Sequence, residues 1–216
     1  MTSSQSIRTV VGIDPGLAGG IAILNNGQAT VQPMPVLPNP NGRGNSIDAR
    51  RVTDLLRQIM AQDPAPPLVV LERQQPMPRQ GVTSTFATGL GQGLLLGICC
   101  GLGVPVEIVQ AQRWQKVMFA GRPRQDSKAA SIQRCQELFP SVSLLATPRC
   151  KRPHDGMADA LMIAEYGRRG SCSGLIMPGT SSNTQPGKAP VPVSPACAAT
   201  SPVSAVQASN SDTDSL

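Results

Sequence analysis

Val11-Gly12-Ile13-Asp14-Pro15-Gly16, read together with Gly19-Gly20-Ile21-Ala22-Ile23-Leu24-Asn25, is the stretch that decides the fold class. Thr9 to Asp14 and Gly20 to Asn25 are β-rich runs joined by a Pro-Gly turn. Gln28 to Met34 follows Asn26-Gly27, the short-range signal for a two-residue hairpin. Three antiparallel strands are therefore predicted to open the domain. Asp14 ends the first of them with little side-chain bulk around it, so a metal and a phosphate can both come close. The competing reading is an aspartate that only caps its own turn.

Outward from this stretch the pattern is mixed α/β. Pro33 to Asn45 reads as a Pro/Gly/Asn loop, and Ser46 to Gln62 places Ile47, Val52, Leu55, Leu56, Ile59 and Met60 at helical spacing behind Ser/Asp capping signals. Leu68 to Glu72 is a short, continuously apolar run, as in a buried central strand, and it too ends in an acid. Thr83 to Leu102 is predicted helical, Val104 to Val109 a strand, and Ala111 to Phe119, Asp126 to Leu138 and Asp155 to Arg169 three further helices.

Two buried strands ending in neighbouring acids are electrostatically costly unless a cation lies between them, so Asp14 and Glu72 point to a metal site. Asp155 and Asp159 are four apart at the start of the last helix and face the same way. The helix dipole alone accounts for an acid at Asp155, in the first turn, but not for one at Asp159.

Gly89, Gly93, Gly97 and Gly101 recur every four residues along one face of the second helix, each costing about 1 kcal/mol relative to Ala. Something must approach that face closely, either the protein's own sheet or a partner helix across a two-fold axis.

The net charge of +6 is unevenly spread. Arg113 to Arg152 holds nine basic residues and two acids, a bias that fits a polyanion, with nucleic acid as the default partner and a merely solvated basic face as the alternative. With aromatics at 2% of the chain, the core must be aliphatic and base stacking has little to work with. Six cysteines show no CxxC pair, and the adjacent Cys99-Cys100 in an apolar run suit reduced core thiols; Cys150 and His154, four apart, could share a helical face but lack the further ligands a zinc site needs. Leu94 to Val106 is the longest apolar candidate and no eighteen apolar residues run uninterrupted, so a soluble protein without a membrane-spanning helix is expected.

The expected organisation is a disordered N-terminus over 1–7, a folded domain over 8–170 and a disordered tail over 171–216, in which twenty of 46 residues are Ser, Thr or Pro. Met1 to Ser6 lacks the apolar core of a secretory signal and no Arg/Ser-rich transit segment precedes the first strand. The protein is read as staying where it is made, unless a leader lies outside this chain.

Gly12-Ile13-Asp14-Pro15-Gly16, the strand-end Glu72 with its Gly-rich sequel, and His154-Asp155-Gly156-Met157-Ala158-Asp159-Ala160-Leu161 together resemble the RuvC-type Holliday junction resolvases of the ribonuclease H-like superfamily. Among these the chain is most similar to the monokaryotic chloroplast resolvases of plants and algae, whose final helix also carries two acids four apart after a His, where the bacterial RuvC pattern has them three apart. The resemblance covers about residues 8 to 169. It implies an α/β, ribonuclease H-like fold with a five-stranded mixed sheet flanked by helices. It also implies a Mg2+-dependent (alternatively Mn2+) endonuclease that resolves four-way DNA junctions by paired symmetric nicks.

Carried over position by position, the resemblance makes Asp14, Glu72, Asp155 and Asp159 the four acidic, metal-binding residues. His154 is either a proton shuttle, a phosphate contact or a surface residue, and Lys128 neutralises the scissile phosphate, with Arg124 competing for that role. Arg73, Arg79 and Gln80, in the loop after Glu72, join Arg113, Arg124, Lys128, Lys151 and Arg152 as DNA contacts. Paired cutting implies a homodimer, for which the Gly89-Gly93-Gly97-Gly101 helix is the preferred contact. The same resemblance implies a chloroplast nucleoid location, or the cytoplasm for a bacterial or phage chain. The alternatives are a ribonuclease H-like nuclease for another nucleic acid, such as an RNA/DNA hybrid, and a non-cutting junction-binding protein. A nucleotide-binding kinase-type fold, suggested by Asp14-Pro-Gly-Leu-Ala-Gly-Gly, needs two large lobes, and the chain has room for one.

Overall fold

The computed structural model describes residues 9–40, 42–63, 65–121, 127–170 and 175–176. The expectations for residues 1–7, for Arg124 and for all of the 171–216 tail except residues 175–176 therefore lie outside the described residues. The opening strands are β1 (Val10–Asp14), β2 (Gly20–Asn25) and β3 (Gln28–Pro33), antiparallel in sequence as expected. Asn26 and Gly27 both take positive φ, as a tight primed hairpin turn requires.

The stretch from Pro33 to Asn45, expected to be a loop, instead holds a small hairpin of β4 (Val36–Pro38) and β5 (Asn45–Ile47). Three-residue strands, the first of them bracketed by Pro35 and Pro40, leave too little alternation for a sequence pattern to register. Ser46 accordingly lies in β5, and helix α1 (Ala49–Gln62) begins later, capped by Asp48, whose Oδ1 accepts from the Arg51 N–H at 3.0 Å. Next come β6 (Leu68–Arg73), α2 (Val82–Gly101), β7 (Val106–Gln110), α3 (Ala111–Met118), α4 (Ser127–Leu138), α5 (Asp155–Arg168) and the two-residue β8 (Leu175–Ile176).

The main sheet runs β3-β2-β1-β6-β7-β8. β6 lies parallel to β1 and to β7, so the five longer strands form a mixed sheet, and β8 adds antiparallel to the β7 edge beyond the expected domain limit. Period-two alternation then sorts the side chains. Val11, Ile13, Val69 and Leu71 pack with α1 and α2 on one face, while Val10, Leu68 and Val70 pack with α3, α4 and α5 on the other. The same parity places Asp14 and Glu72 on the α5 face.

α5 seats against β1 almost backbone to backbone. A Cβ on Gly12 would collide with the Ala160 carbonyl and the Ala164 amide, and one on Gly156 would collide with Ala18 and Gly19. Glycine is thus required at both contacts by close approach. The resulting core is mainly aliphatic, with Leu161, Met162 and Ile163 fully buried in α5, but its two largest fully buried side chains are Trp114 and Tyr166.

α2 excludes one of the two readings of its glycines and corrects two further expectations. Its four periodic glycines do not pack on the protein's own sheet: all are exposed, and a Cβ on any of them would meet nothing within 4 Å. Leu95 and Cys99 bury the opposite side instead. Cys100, next to the buried Cys99, is exposed, because adjacent helical residues point about 100° apart. Finally, α2 carries no charged residue over 20 positions and is long and apolar enough, by length and composition, to cross a membrane. The expected exclusion on length does not hold, because scattered Gly, Ser, Thr and Gln interrupt an apolar run without ending the helix.

Candidate metal and nucleic-acid site

The parallel register pairs Ile13 with Leu71, so Asp14 and Glu72 each follow the last paired residues of neighbouring strands. Asp14 does cap its turn, its Oδ1 accepting from the Gly16 N–H at 3.3 Å, yet the strand-end placement also holds. Glu72 is pushed up to about 7, first by burial and then by the negative charges of Asp14 and Asp159, against the lowering effect of a hydrogen bond from Trp114. Asp14, Glu72 and Asp159 therefore share one electrostatic neighbourhood, reached because the glycine contacts let α5 lie close to β1. Asp155 lies one helical turn before Asp159, half-buried in the first turn of α5. As placed, no three His, Cys, Asp or Glu side chains among the described residues close around a single point.

His154 is the N-cap of α5: its Nδ1 accepts from the Met157 N–H at 3.2 Å. A ring nitrogen that accepts carries no proton, so the neutral ring keeps its proton on Nε2. Cys150 is not on a helix with His154, and its Sγ lies 3.2 Å from the Thr147 hydroxyl. That leaves the pair without the shared face on which even a weak zinc reading depended. The buried Cys135 donates to the Ala158 carbonyl at 3.3 Å, and burial followed by the charge of Asp159 pushes its thiol up to about 12.

Lys128 lies in the first turn of α4. Arg73, at the end of β6, and Arg113, in α3, are exposed and line one open cavity of about 490 Å³ with Gln92, Ile108 and Gln110. Arg79 is exposed in a turn with φ of 66°. Gln80 is engaged within the protein: its Oε1 accepts from the Met77 N–H at 2.9 Å and its Nε2 donates to Ser84 Oγ at 3.0 Å. Lys151 and Arg152 are exposed just before α5.

Trp114 was missed as a site residue. Its indole Nε1 donates to Glu72 Oε2 at 2.8 Å from a fully buried position. The signal available was that the chain's single tryptophan, once buried, needs an acceptor for its N–H.

No protein-family model matches this chain, and no curated protein does. A solved structure of T. thermophilus RuvC in complex with Holliday junction substrate is similar at 21% identity, covering 77% of this chain and 99% of RuvC with a TM-score of 0.50. A second Thermus thermophilus RuvC structure is 20% identical over the same shares, with a TM-score of 0.48. With the β3-β2-β1-β6-β7 order and the flanking helices, the likeness establishes the ribonuclease H-like α/β fold.

Proposed function

We propose that this protein is a divalent-metal-dependent endonuclease that resolves four-way DNA junctions by symmetric paired nicks. The observation that carries this reading is the placement of Asp14 and Glu72 on adjacent strand ends, with the charges of Asp14 and of Asp159 from α5 both bearing on Glu72. A buried carboxyl whose ionisation is opposed by two neighbouring acids suits a hard cation in both donor type and charge. Asp14, Glu72, Asp155 and Asp159 would hold Mg2+, or Mn2+ in its place. When bound, the ion supplies positive charge to the scissile phosphate and lowers the pKa of the attacking water.

The chain's own groups complete the chemistry. His154 Nε2 carries the N–H that would donate a hydrogen bond to a phosphate oxygen, because Nδ1 is committed to the α5 N-terminus. Lys128, in the first turn of α4, is assigned to the scissile phosphate, and Arg73, Arg79, Arg113, Lys151 and Arg152 to the flanking backbone. Gln80 joins them only by giving up its bonds to Met77 in the turn and to Ser84 and Thr88 in α2.

Paired cutting needs two sites, and α2 offers the surface for a second copy. Val82 is 88%, Phe86 69% and Leu90 60% exposed beside the glycine stripe, a face that fits a partner helix and not the protein's own sheet. On resemblance alone the location is the chloroplast nucleoid, which organelle fractionation with an antibody to the chain would check.

The deciding experiment compares cleavage of a synthetic four-way junction, an RNA/DNA hybrid and a linear duplex with and without Mg2+ at one salt concentration. Symmetric nicks in the junction alone are expected. Asp14→Asn should bind the junction and cut it at least about 1,000-fold more slowly. Preferred cleavage of the hybrid would move the protein to another ribonuclease H-like activity, and binding without any cutting would make it a junction-binding protein.

A further inference from the structure

Two carboxylates of this fold are held in opposite ways. Glu165, 2% exposed in α5, accepts from both Arg168 and Arg169. Burial pushes its pKa up, yet those hydrogen bonds and charges hold its carboxyl below the ordinary range. That is a carboxylate whose charge is answered inside the protein. Glu72, at the strand end, receives instead one neutral donor, the Trp114 indole N–H at 2.8 Å.

An indole N–H is a donor only: it neither cancels a carboxylate's charge nor ligates a metal. It takes one oxygen, Oε2, and leaves Oε1 to the site. Its own position is fixed, since Trp114 is fully buried and its ring meets Phe119 edge-on with centroids 5.8 Å apart. α3, which carries it, starts directly after β7, the strand beside β6, so the donor and Glu72 are set by adjacent elements of one sheet.

We propose that Trp114 is a positioning residue for the metal site, pinning one oxygen of Glu72 so that the other faces the ion. The inference rests on the metal-site reading above. Outer-shell donors of this kind orient a ligand without touching the metal, and their loss typically lowers affinity by about tenfold or more. Because Trp114 is the only tryptophan in the chain, its fluorescence should report ion binding at Glu72 directly.

The test titrates Mn2+ into the full chain while following tryptophan emission, with free Mn2+ measured in parallel by electron paramagnetic resonance. The emission change should saturate together with the bound ion and should vanish in Glu72→Gln. Trp114→Phe, which keeps a ring against Phe119 but removes the N–H, should bind Mn2+ about tenfold more weakly and leave junction binding in EDTA unchanged. Mn2+ binding to the natural chain with flat emission, or a folded Trp114→Phe with unaltered affinity, overturns the proposal while leaving the metal site standing. A natural chain that binds no Mn2+ overturns both. Should Trp114→Phe fail to fold, the emission titration of the natural chain decides alone.

Discussion

The two faces of the sheet use glycine in opposite ways. Under α5, Gly12 and Gly156 exist because backbone meets backbone, and any Cβ there would strike a neighbouring main chain. On α2, Gly89, Gly93, Gly97 and Gly101 meet nothing, and the helix buries only Leu95 and Cys99. Glycine spacing alone therefore marks a potential close approach without saying whether the approaching surface is inside the molecule or outside it. The functional consequence follows the same division. The crowded face brings the charge of Asp159 to bear on Glu72, and the open face leaves the glycines of α2 exposed.

The comparison is most easily broken on the crowded face. Gly12→Ala should cost about 3 kcal/mol or more in thermal or urea unfolding, since neither the Ala160 carbonyl nor the Ala164 amide can move without displacing α5. A mild effect would mean that α5 does not seat as closely as described. A second effect on this face depends on pH. With a folded pKa of about 7 against an ordinary 4.5, Glu72 contributes stability that is fully present below about pH 4.5 and lost as pH rises through 7. Metal-free protein should thus lose on the order of 2–3 kcal/mol across that window from this group, Glu72→Gln should flatten the loss, and saturating Mg2+ should offset it.

Smaller effects are expected on the open face. Gly93→Leu should weaken self-association at least about tenfold by light scattering, or about 1.4 kcal/mol, while leaving each copy folded. A variant that remains fully dimeric and active would remove this helix from the interface. Gly97→Ala, melted at concentrations low enough to keep the chain monomeric, should be stabilised by about 0.5–1 kcal/mol, because a methyl group there meets only solvent. Opposite signs for Gly12→Ala and Gly97→Ala would state the difference between the faces in one pair of melts.

Much of this architecture was legible in advance, for local reasons. β1, β2, β3 and β6 and the five helices carry alternation, apolar runs or helical spacing within single segments, and Asn26-Gly27 names its own turn. Asp14 and Glu72 stood out because each ends an apolar run in a charge. The β4–β5 hairpin was not visible, being too short and too rich in proline, and the two-residue β8 exists only as a pairing with β7. The role of Trp114 was hidden for another reason: its acceptor is 42 positions away, and no spacing within α3 points to it.

By itself the sequence determined the longer strands and the helices, where acids terminate strands, and that the basic excess gathers between Arg113 and Arg152, because periodicity and charge are properties of neighbouring residues. Only the tertiary structure decided that Asp159 bears on Glu72, that a neutral indole holds one of its oxygens, and that the glycine face of α2 is turned outward. Those facts depend on strand order and helix docking, which arise from contacts between residues distant in the chain, and a local pattern does not encode its distant partner.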